Sequence, residues 1–295
     1  MNFLLALALM TPASAGAVVV SPVANMYSAP SEDADVVSQA LCGANVALME
    51  EKGEWAKVRT SDDYTGWMPL ASLRRYGPDD RLYASAGEVA EVESLHANVY
   101  REPDVTKHQP VQTLPFEARL EVIPTVAPTF RSADTGLKPG ATDERWLQVL
   151  LPDGRAAWIQ RGDVDFHPRP LSIKETIELA RRFLGVTYLW GGTSSFGFDC
   201  SGFTQMLVRK RSFVMPRDAD LQAAWQGVRS ITRRKLRAGD LLFFGESPEK
   251  ITHTGMFIGH GKFIHDTTHG HPGVQISRLA DQPWTQLLVA CRRLK

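Results

Sequence analysis

A chain of 295 residues is longer than one small core sustains and calls for about two or three domains. Its composition, 43% hydrophobic and 22% charged, is that of an ordinary soluble globular protein. With 33 basic against 33 acidic residues, no net charge directs it to nucleic acid or to an anionic membrane.

Phe3 to Met10 is an unbroken apolar run, followed by Thr11-Pro12 and the small-x-small pattern Ala13-Ser14-Ala15. Residues 1–15 therefore read as an export signal cleaved after Ala15, although no Lys or Arg precedes the run. The run is too short to span a bilayer, and no later stretch is long and apolar enough to do so. The expectation is an exported protein, in the periplasm or outside the cell.

Residues 17–76 read as short strands broken by turns, and residues 85–166 repeat the layout. Asn25-Met-Tyr27 with Pro30 matches Asn98-Val-Tyr100 with Pro103, and Val46–Met49 matches Leu120–Ile123. Trp55-Ala-Lys-Val58 matches Trp146-Leu-Gln-Val149, and Gly66-Trp67 matches Ala157-Trp158. The pattern predicts two copies of one small β-barrel. The second carries an insertion at about 125–144, rich in Pro, Thr, Gly and Ala, which reads as a loop.

His167-Pro-Arg-Pro170 is a stiff linker into a third region, 167–295, where helical patterns come first and strands after, as in an α+β domain. Ser172 followed by Glu175 marks a capped helix start, and Gly185 marks its end. Tyr188 to Phe203 then forms a glycine-rich loop that opens onto a helix at Cys200, running to about Arg211. A second helical run covers Ala219–Gly227, and the remaining segments read as strands, with a hairpin around Gly259-His-Gly261.

Three cysteines are present, Cys42, Cys200 and Cys291, without metal-like spacing. An exported protein could join Cys42 to Cys291, but both lie in or beside apolar strand-like runs and are expected as buried free thiols. Cys200 differs. At a helix N-terminus its thiol meets the positive end of the macrodipole, which favours the thiolate. A nucleophilic cysteine needs an imidazole as base and a further polar group to fix that imidazole's tautomer.

Among eight histidines, His253 and His265 fall in strands that follow the helix. A two-residue turn at His260-Gly261 would pair Met256 with His265 and set the two histidines on opposite sheet faces. A three-residue loop, or an equivalent bulge, pairs Gly255 with His265 and sets them on the same face. The chemistry requires the latter. Gly255 is expected to leave room beside His253 for a substrate or a neighbouring helix. The run His265-Asp-Thr-Thr-His269-Gly-His271 also admits a metal reading through Asp266, but it matches no strong zinc spacing. No metal site is assigned.

Several motifs now stand in a recognisable order. They are Tyr188-x-Trp-Gly-Gly192, Phe198-Asp-Cys-Ser-Gly202, Pro216-Arg-Asp218 with Gln222, Ala238-Gly-Asp-Leu241, His253-x-Gly with Gly259, and Phe263-Ile-His265. Over residues 171–295 the chain resembles the NlpC family of cell-wall cysteine peptidases, a circularly permuted papain-like fold. The two preceding segments resemble bacterial SH3-like domains. The whole is similar to the branch of γ-D-glutamyl-L-diamino acid endopeptidases.

The resemblance implies Cys200 as nucleophile, His253 as base and His265 as the third member. It implies Tyr188 beside the oxyanion hole, its hydroxyl joining a backbone N–H at Cys200. Ser201 and Arg217 become candidates for the α-carboxylate of D-glutamate, while Asp199 is read as a helix cap. Asp218, assisted by Tyr64 of the first SH3-like domain, is the candidate for the free amine of an N-terminal L-Ala. Ala219 departs from the pattern, standing where many relatives place a hydroxyl.

The function so implied is hydrolysis of the γ-D-glutamyl–diaminopimelate bond in peptidoglycan-derived peptides, without a cofactor and by a monomer. Two alternatives stand beside it: hydrolysis of intact stem peptides with the SH3-like domains as wall anchors, and a non-catalytic wall-binding protein.

Overall fold

The structure, a computed structural model, describes residues 16–124 and 145–295. The apolar run read as an export signal and the Pro-rich insertion lie outside the described residues. The chain divides into two compact units. One comprises the residues up to Ala24, Ala40–Val58 and Met68–Pro168; the other comprises Asn25–Gln39, Arg59–Trp67 and Arg169–Lys295.

The first small sheet is built from β1 (Gly16–Val19), β2 (Val23–Tyr27), β3 (Val36–Leu41), β4 (Asn45–Lys52), β5 (Trp55–Arg59), β6 (Thr65–Pro69) and β7 (Leu73–Arg75). Its strand order is β3-β2-β6-β5-β4-β1-β7. The second is built from β8 (Val89–Val92), β9 (His96–Tyr100), β10 (Gln112–Pro115), β11 (Arg119–Val122), β12 (Trp146–Leu150), β13 (Ala156–Gln160) and β14 (Val164–Asp165). Its order, β10-β9-β13-β12-β11-β8-β14, repeats the first position for position. The repeat read from short motifs is thus a repeat of topology.

Period-two burial drives these sheets, since alternate residues of a strand face one side. In the second, Ala90, Val92, Ala97, Val99, Leu120, Val149 and Ile159 point inward and are buried. Cys42 joins the same cluster as a free thiol, and burial pushes it up to about 12. It acts there as a small apolar side chain. Cys291 is likewise free and buried.

The third region opens with α1 (Ile173–Arg182). Ser172 Oγ accepts from the Glu175 N–H and Glu175 Oε2 accepts from the Ser172 N–H, closing the capping box. A small hairpin, β15 (Thr193–Ser194) and β16 (Gly197–Phe198), leads into α2 (Cys200–Arg209) and then α3 (Ala219–Ala224). α3 is shorter than the expected run to Gly227. Trp225 turns to extended backbone, and Arg292 Nε donates to the freed carbonyl of Ala223 at 2.8 Å.

The main sheet follows as β17 (Val228–Ser230), β18 (Leu241–Ser247), β19 (Lys250–Gly259), β20 (Lys262–Thr267) and β21 (Gly273–Arg278), with α4 (Trp284–Leu287) and β22 (Leu288–Leu294). It is antiparallel between neighbours, in the order β17-β22-β18-β19-β20-β21. α2 packs against β19 and β20. The region is α+β, with the sheet dominant. Among the described residues no helix is long and apolar enough to cross a membrane.

Candidate active site

The β19–β20 hairpin sets the site. His260 and Gly261 both take positive φ, as a two-residue turn demands, and a bulge between Phe257 and Gly259 then shifts the register. Met256 consequently faces Ile264. Gly255 comes against His265: a Cβ added at Gly255 would lie 2.8 Å from that of His265. The expected register holds, produced by a bulge rather than by a longer loop. The space at Gly255 is filled by His265 from the neighbouring strand, not by a substrate or a helix as expected.

The histidines form a relay. His253 Nε2 lies 2.7 Å from His265 Nδ1, and His265 Nε2 lies 2.9 Å from Ser277 Oγ. With the proton on Nε2 of both rings, His253 donates to His265 and His265 donates to Ser277. His253 Nδ1 is then left as an acceptor. Trp284 lies against both rings, tilted 31° to His253 at 5.2 Å and edge-on to His265 at 4.7 Å. Burial lowers His253 to about 4 and His265 well below the ordinary imidazole value. Both rings are neutral at pH 7.

Cys200 stands at the first position of α2, with Asp199 as its N-cap: the Gly202 N–H donates to Asp199 Oδ1 at 2.7 Å. Beyond Met256 and Ile264, β19 runs on beside β18 and β20 beside β21. The backbone N–H of Thr254, next to His253, acts on the Cys200 thiol. That contact and Arg217 favour the thiolate, but burial, aided by the Asp199 carboxylate, prevails and pushes the thiol up to about 12. The expected thiolate is therefore not the resting form. The charge that opposes it is the helix cap itself, which offsets the positive end of the helix.

Asp199 does more than cap. Arg217, 2% exposed, grips it with two bonds, Nη2 to Oδ2 at 2.6 Å and Nη1 to Oδ1 at 3.0 Å. Nη1 also donates to Ser201 Oγ at 2.7 Å, Nε to Ser38 Oγ at 3.2 Å, and Nη2 to the Gly192 carbonyl at 3.5 Å. All five guanidinium N–H groups are engaged. Ser201 Oγ in turn donates to Asp199 Oδ1 at 3.1 Å. Arg217 and Ser201, read from the sequence as candidates for a substrate carboxylate, here bond to Asp199 in a buried network within the Tyr188–Phe203 loop. The Gly191 N–H adds a bond to Asp199 Oδ2 at 3.1 Å.

Asp218 occupies the N-cap position of α3 but makes no capping bond. Its Oδ1 instead accepts from the Tyr64 hydroxyl at 3.4 Å. Burial raises the Asp218 carboxyl above the ordinary range, opposed by Arg217, and it pushes the Tyr64 phenol up to about 12. Tyr64 is held nearby through its own segment, because Gln205 Nε2 donates to Asp62 Oδ2 at 2.8 Å.

Tyr188 is half-buried. Burial first, then the charge of Cys200, raises its phenol above the ordinary tyrosine value, so it stays a donor.

Ser277 and Thr254 escaped the sequence reading, and Asp266 entered it only through the metal reading. Ser277 gave no signal beyond its place in a strand. Asp266 and Thr254 are fully buried, and both Asp266 oxygens and Thr254 Oγ1 lack hydrogen-bond partners. Burial, then the Asp199 charge, pushes Asp266 up to about 8, which keeps it largely protonated at neutral pH. Among the described residues no group of three or more His, Cys, Asp or Glu is placed to hold a metal ion.

Residues 185–293 match the NlpC/P60 family, and residues 26–73 match the bacterial dipeptidyl-peptidase SH3 domain. A gamma-D-glutamyl-L-lysine dipeptidyl-peptidase of Bacillus cereus is 33% identical over 249 residues, 77% of this chain and 66% of that relative's own length. The protein of the same name from Bacillus subtilis is 27% identical over 88% of this chain and 81% of the relative. The crystal structure of an NlpC/P60 family protein from Bacillus cereus superposes with a TM-score of 0.77 at 26% identity, over 95% of this chain and 99% of that one. Residues 185–293 therefore form an NlpC/P60 cysteine-peptidase domain, preceded by a bacterial SH3 domain over residues 26–73.

Proposed function

We propose that this chain is an exported peptidase that hydrolyses the γ-D-glutamyl–diamino acid bond of peptidoglycan-derived peptides bearing a free N-terminal L-Ala. The observation that carries the reading is the Tyr64–Asp218 contact, a phenol and a carboxylate held together at 3.4 Å. Asp218 has no cap to serve there, so its carboxylate is open to an ammonium group. An acylated amine would leave buried polar groups unpaired, which is how a polar pocket rejects the wrong substrate. The names of the Bacillus relatives, gamma-D-glutamyl-L-lysine dipeptidyl-peptidases, support a γ-D-glutamyl bond to a diamino acid.

In this reading Cys200 Sγ attacks the γ-carbonyl carbon while His253 Nδ1 takes the thiol proton. With thiol and imidazole both neutral at rest, this is general-base catalysis, the charge forming as the bond to sulfur forms. His265, held by Ser277, stabilises the imidazolium by accepting from His253 Nε2–H. The Tyr188 hydroxyl and the Cys200 N–H donate to the developing oxyanion. His253 returns the proton to the leaving α-amine of the diamino acid. A water then attacks the thioester, again losing its proton to His253, and the dipeptide acid departs.

Incubation of the full chain with L-Ala-γ-D-Glu-diaminopimelate, followed by mass spectrometry, tests this. L-Ala-γ-D-Glu and free diaminopimelate are the expected products, and Cys200→Ala lowers the rate at least about 10³-fold. Unchanged cleavage by Cys200→Ala would refute the assignment.

A further inference from the structure

At one edge of the main sheet lies a groove of about 550 Å³ lined by Arg229, Arg234, Lys235, Leu236, Arg237 and Arg293. The segment that builds most of it, Val228 to Arg237, contains no Asp or Glu, in a chain whose charges balance over its full length. Arg293 is answered by Asp240, Nε to Oδ1 at 2.7 Å and Nη2 to Oδ2 at 2.8 Å. Arg229, Arg234, Lys235 and Arg237 make no side-chain hydrogen bond or ion pair among the described residues. Moreover, Arg229 stands directly opposite Arg293 in the β17–β22 pairing. Asp240 already answers Arg293, so the charge left unmet in this strand pair is that of Arg229, which an anion in the groove would meet.

We propose that this groove binds a phosphate-rich polyanion, a linear polymer bearing phosphate or phosphodiester groups, and docks the peptidase domain on it. Guanidinium forks pair with phosphate oxygens two bonds at a time, and four unpartnered cations span several phosphates. The lining holds no aromatic ring on which a nucleobase could stack, which argues against a single-stranded nucleic acid. A concave groove suits a chain better than a flat bilayer. It is separate from the active site, because β22 and β18 stand between β17 and β19. The inference does not rest on the substrate assigned above, since it is read by binding and not by cleavage.

The test titrates the full chain with labelled long-chain inorganic polyphosphate at 50 and 200 mM salt. Saturable binding is expected, with log K falling against log [salt] with a slope of roughly −2 to −3, as for about four contacts. The triple variant Arg234→Glu, Lys235→Glu, Arg237→Glu is expected to bind at least about 30-fold more weakly. Arg229→Glu alone, on an exposed edge position, is expected to bind about 5-fold more weakly. Both keep wild-type cleavage of free peptide, which also certifies their fold. Equal binding by the variants overturns the proposal. So does tighter binding of oligothymidylate or of phosphatidylglycerol vesicles than of polyphosphate at the same salt.

Discussion

The barrel over residues 16–75 and the barrel over 89–165 share one strand order, yet only the first lends segments, Asn25–Gln39 and Arg59–Trp67, to the compact unit that holds Cys200. The lent segments carry side chains with work to do there. Ser38 accepts from Arg217, Gln39 Oε1 accepts from the Thr193 N–H at 3.0 Å, Asp62 accepts from Gln205 and Tyr64 donates to Asp218. The corresponding turn of the second barrel places Arg155 where the first has Tyr64, two residues before the matched Ala157-Trp158. Among the described residues the Arg155 side chain pairs with Asp153, at the surface. A single backbone plan thus serves two ends, and the difference lies in a few turn and strand side chains that strand order does not dictate.

The largest expected effect comes from the buried pair that the first barrel supports. Arg217→Ala leaves the buried Asp199 carboxylate with its backbone and Ser201 hydrogen bonds but without its counter-charge, which costs about 3–5 kcal/mol. The melting temperature falls by roughly 10 °C in a thermal melt followed by circular dichroism. A variant that keeps its melting temperature and only raises KM would restore Arg217 to the substrate clamp.

The next effect is a pH split between KM and kcat. Asp218, raised by burial and facing Tyr64, Arg217, Asp220 and Asp199, protonates above the ordinary aspartate range as pH falls. His253 protonates only near 4. Since an amine is held by the carboxylate form and catalysis needs the neutral imidazole, KM for free peptide rises first and kcat falls later, near pH 4. In Asp218→Asn the early rise in KM disappears. Coincident loss of both at the ordinary histidine value would refute the neutral relay.

The smallest effect belongs to the second barrel. Arg155→Ala is expected to change stability by less than about 0.5 kcal/mol and to leave KM unchanged. A clear rise in KM would erase the distinction between the barrels.

Much of this was legible in the residues. The barrel repeat could be read because Trp-x-x-Val strands and Pro-bearing turns recur in order, and strand alternation is a local property. The hairpin register was legible by a chemical demand, that His253 and His265 share a face, and the bulge at Phe257–Gly259 meets it. The bonds of Arg217 within the protein were not. An arginine beside an aspartate and a serine offers the same donors to a substrate or to the protein, and only burial distinguishes the two. The state of Cys200 was misjudged for a related reason. Helix position speaks for a thiolate, whereas enclosure and the Asp199 cap speak against it, and enclosure is a tertiary fact. Tyr64 became a candidate through family resemblance, and its contact with Asp218 depends on a segment more than a hundred residues away.

The central claim is that the Tyr64–Asp218 pair selects a free amine. It is tested most directly by kcat/KM for L-Ala-γ-D-Glu-diaminopimelate and its N-acetyl derivative, in the wild type, Tyr64→Phe and Asp218→Asn. The wild type is expected to prefer the free peptide by at least about 10²-fold. Tyr64→Phe should cut that ratio by about 3- to 10-fold and Asp218→Asn should nearly abolish it, through loss of the free peptide rather than gain of the blocked one. Equal use of both peptides by the wild type, or a ratio untouched by either substitution, would contradict the account.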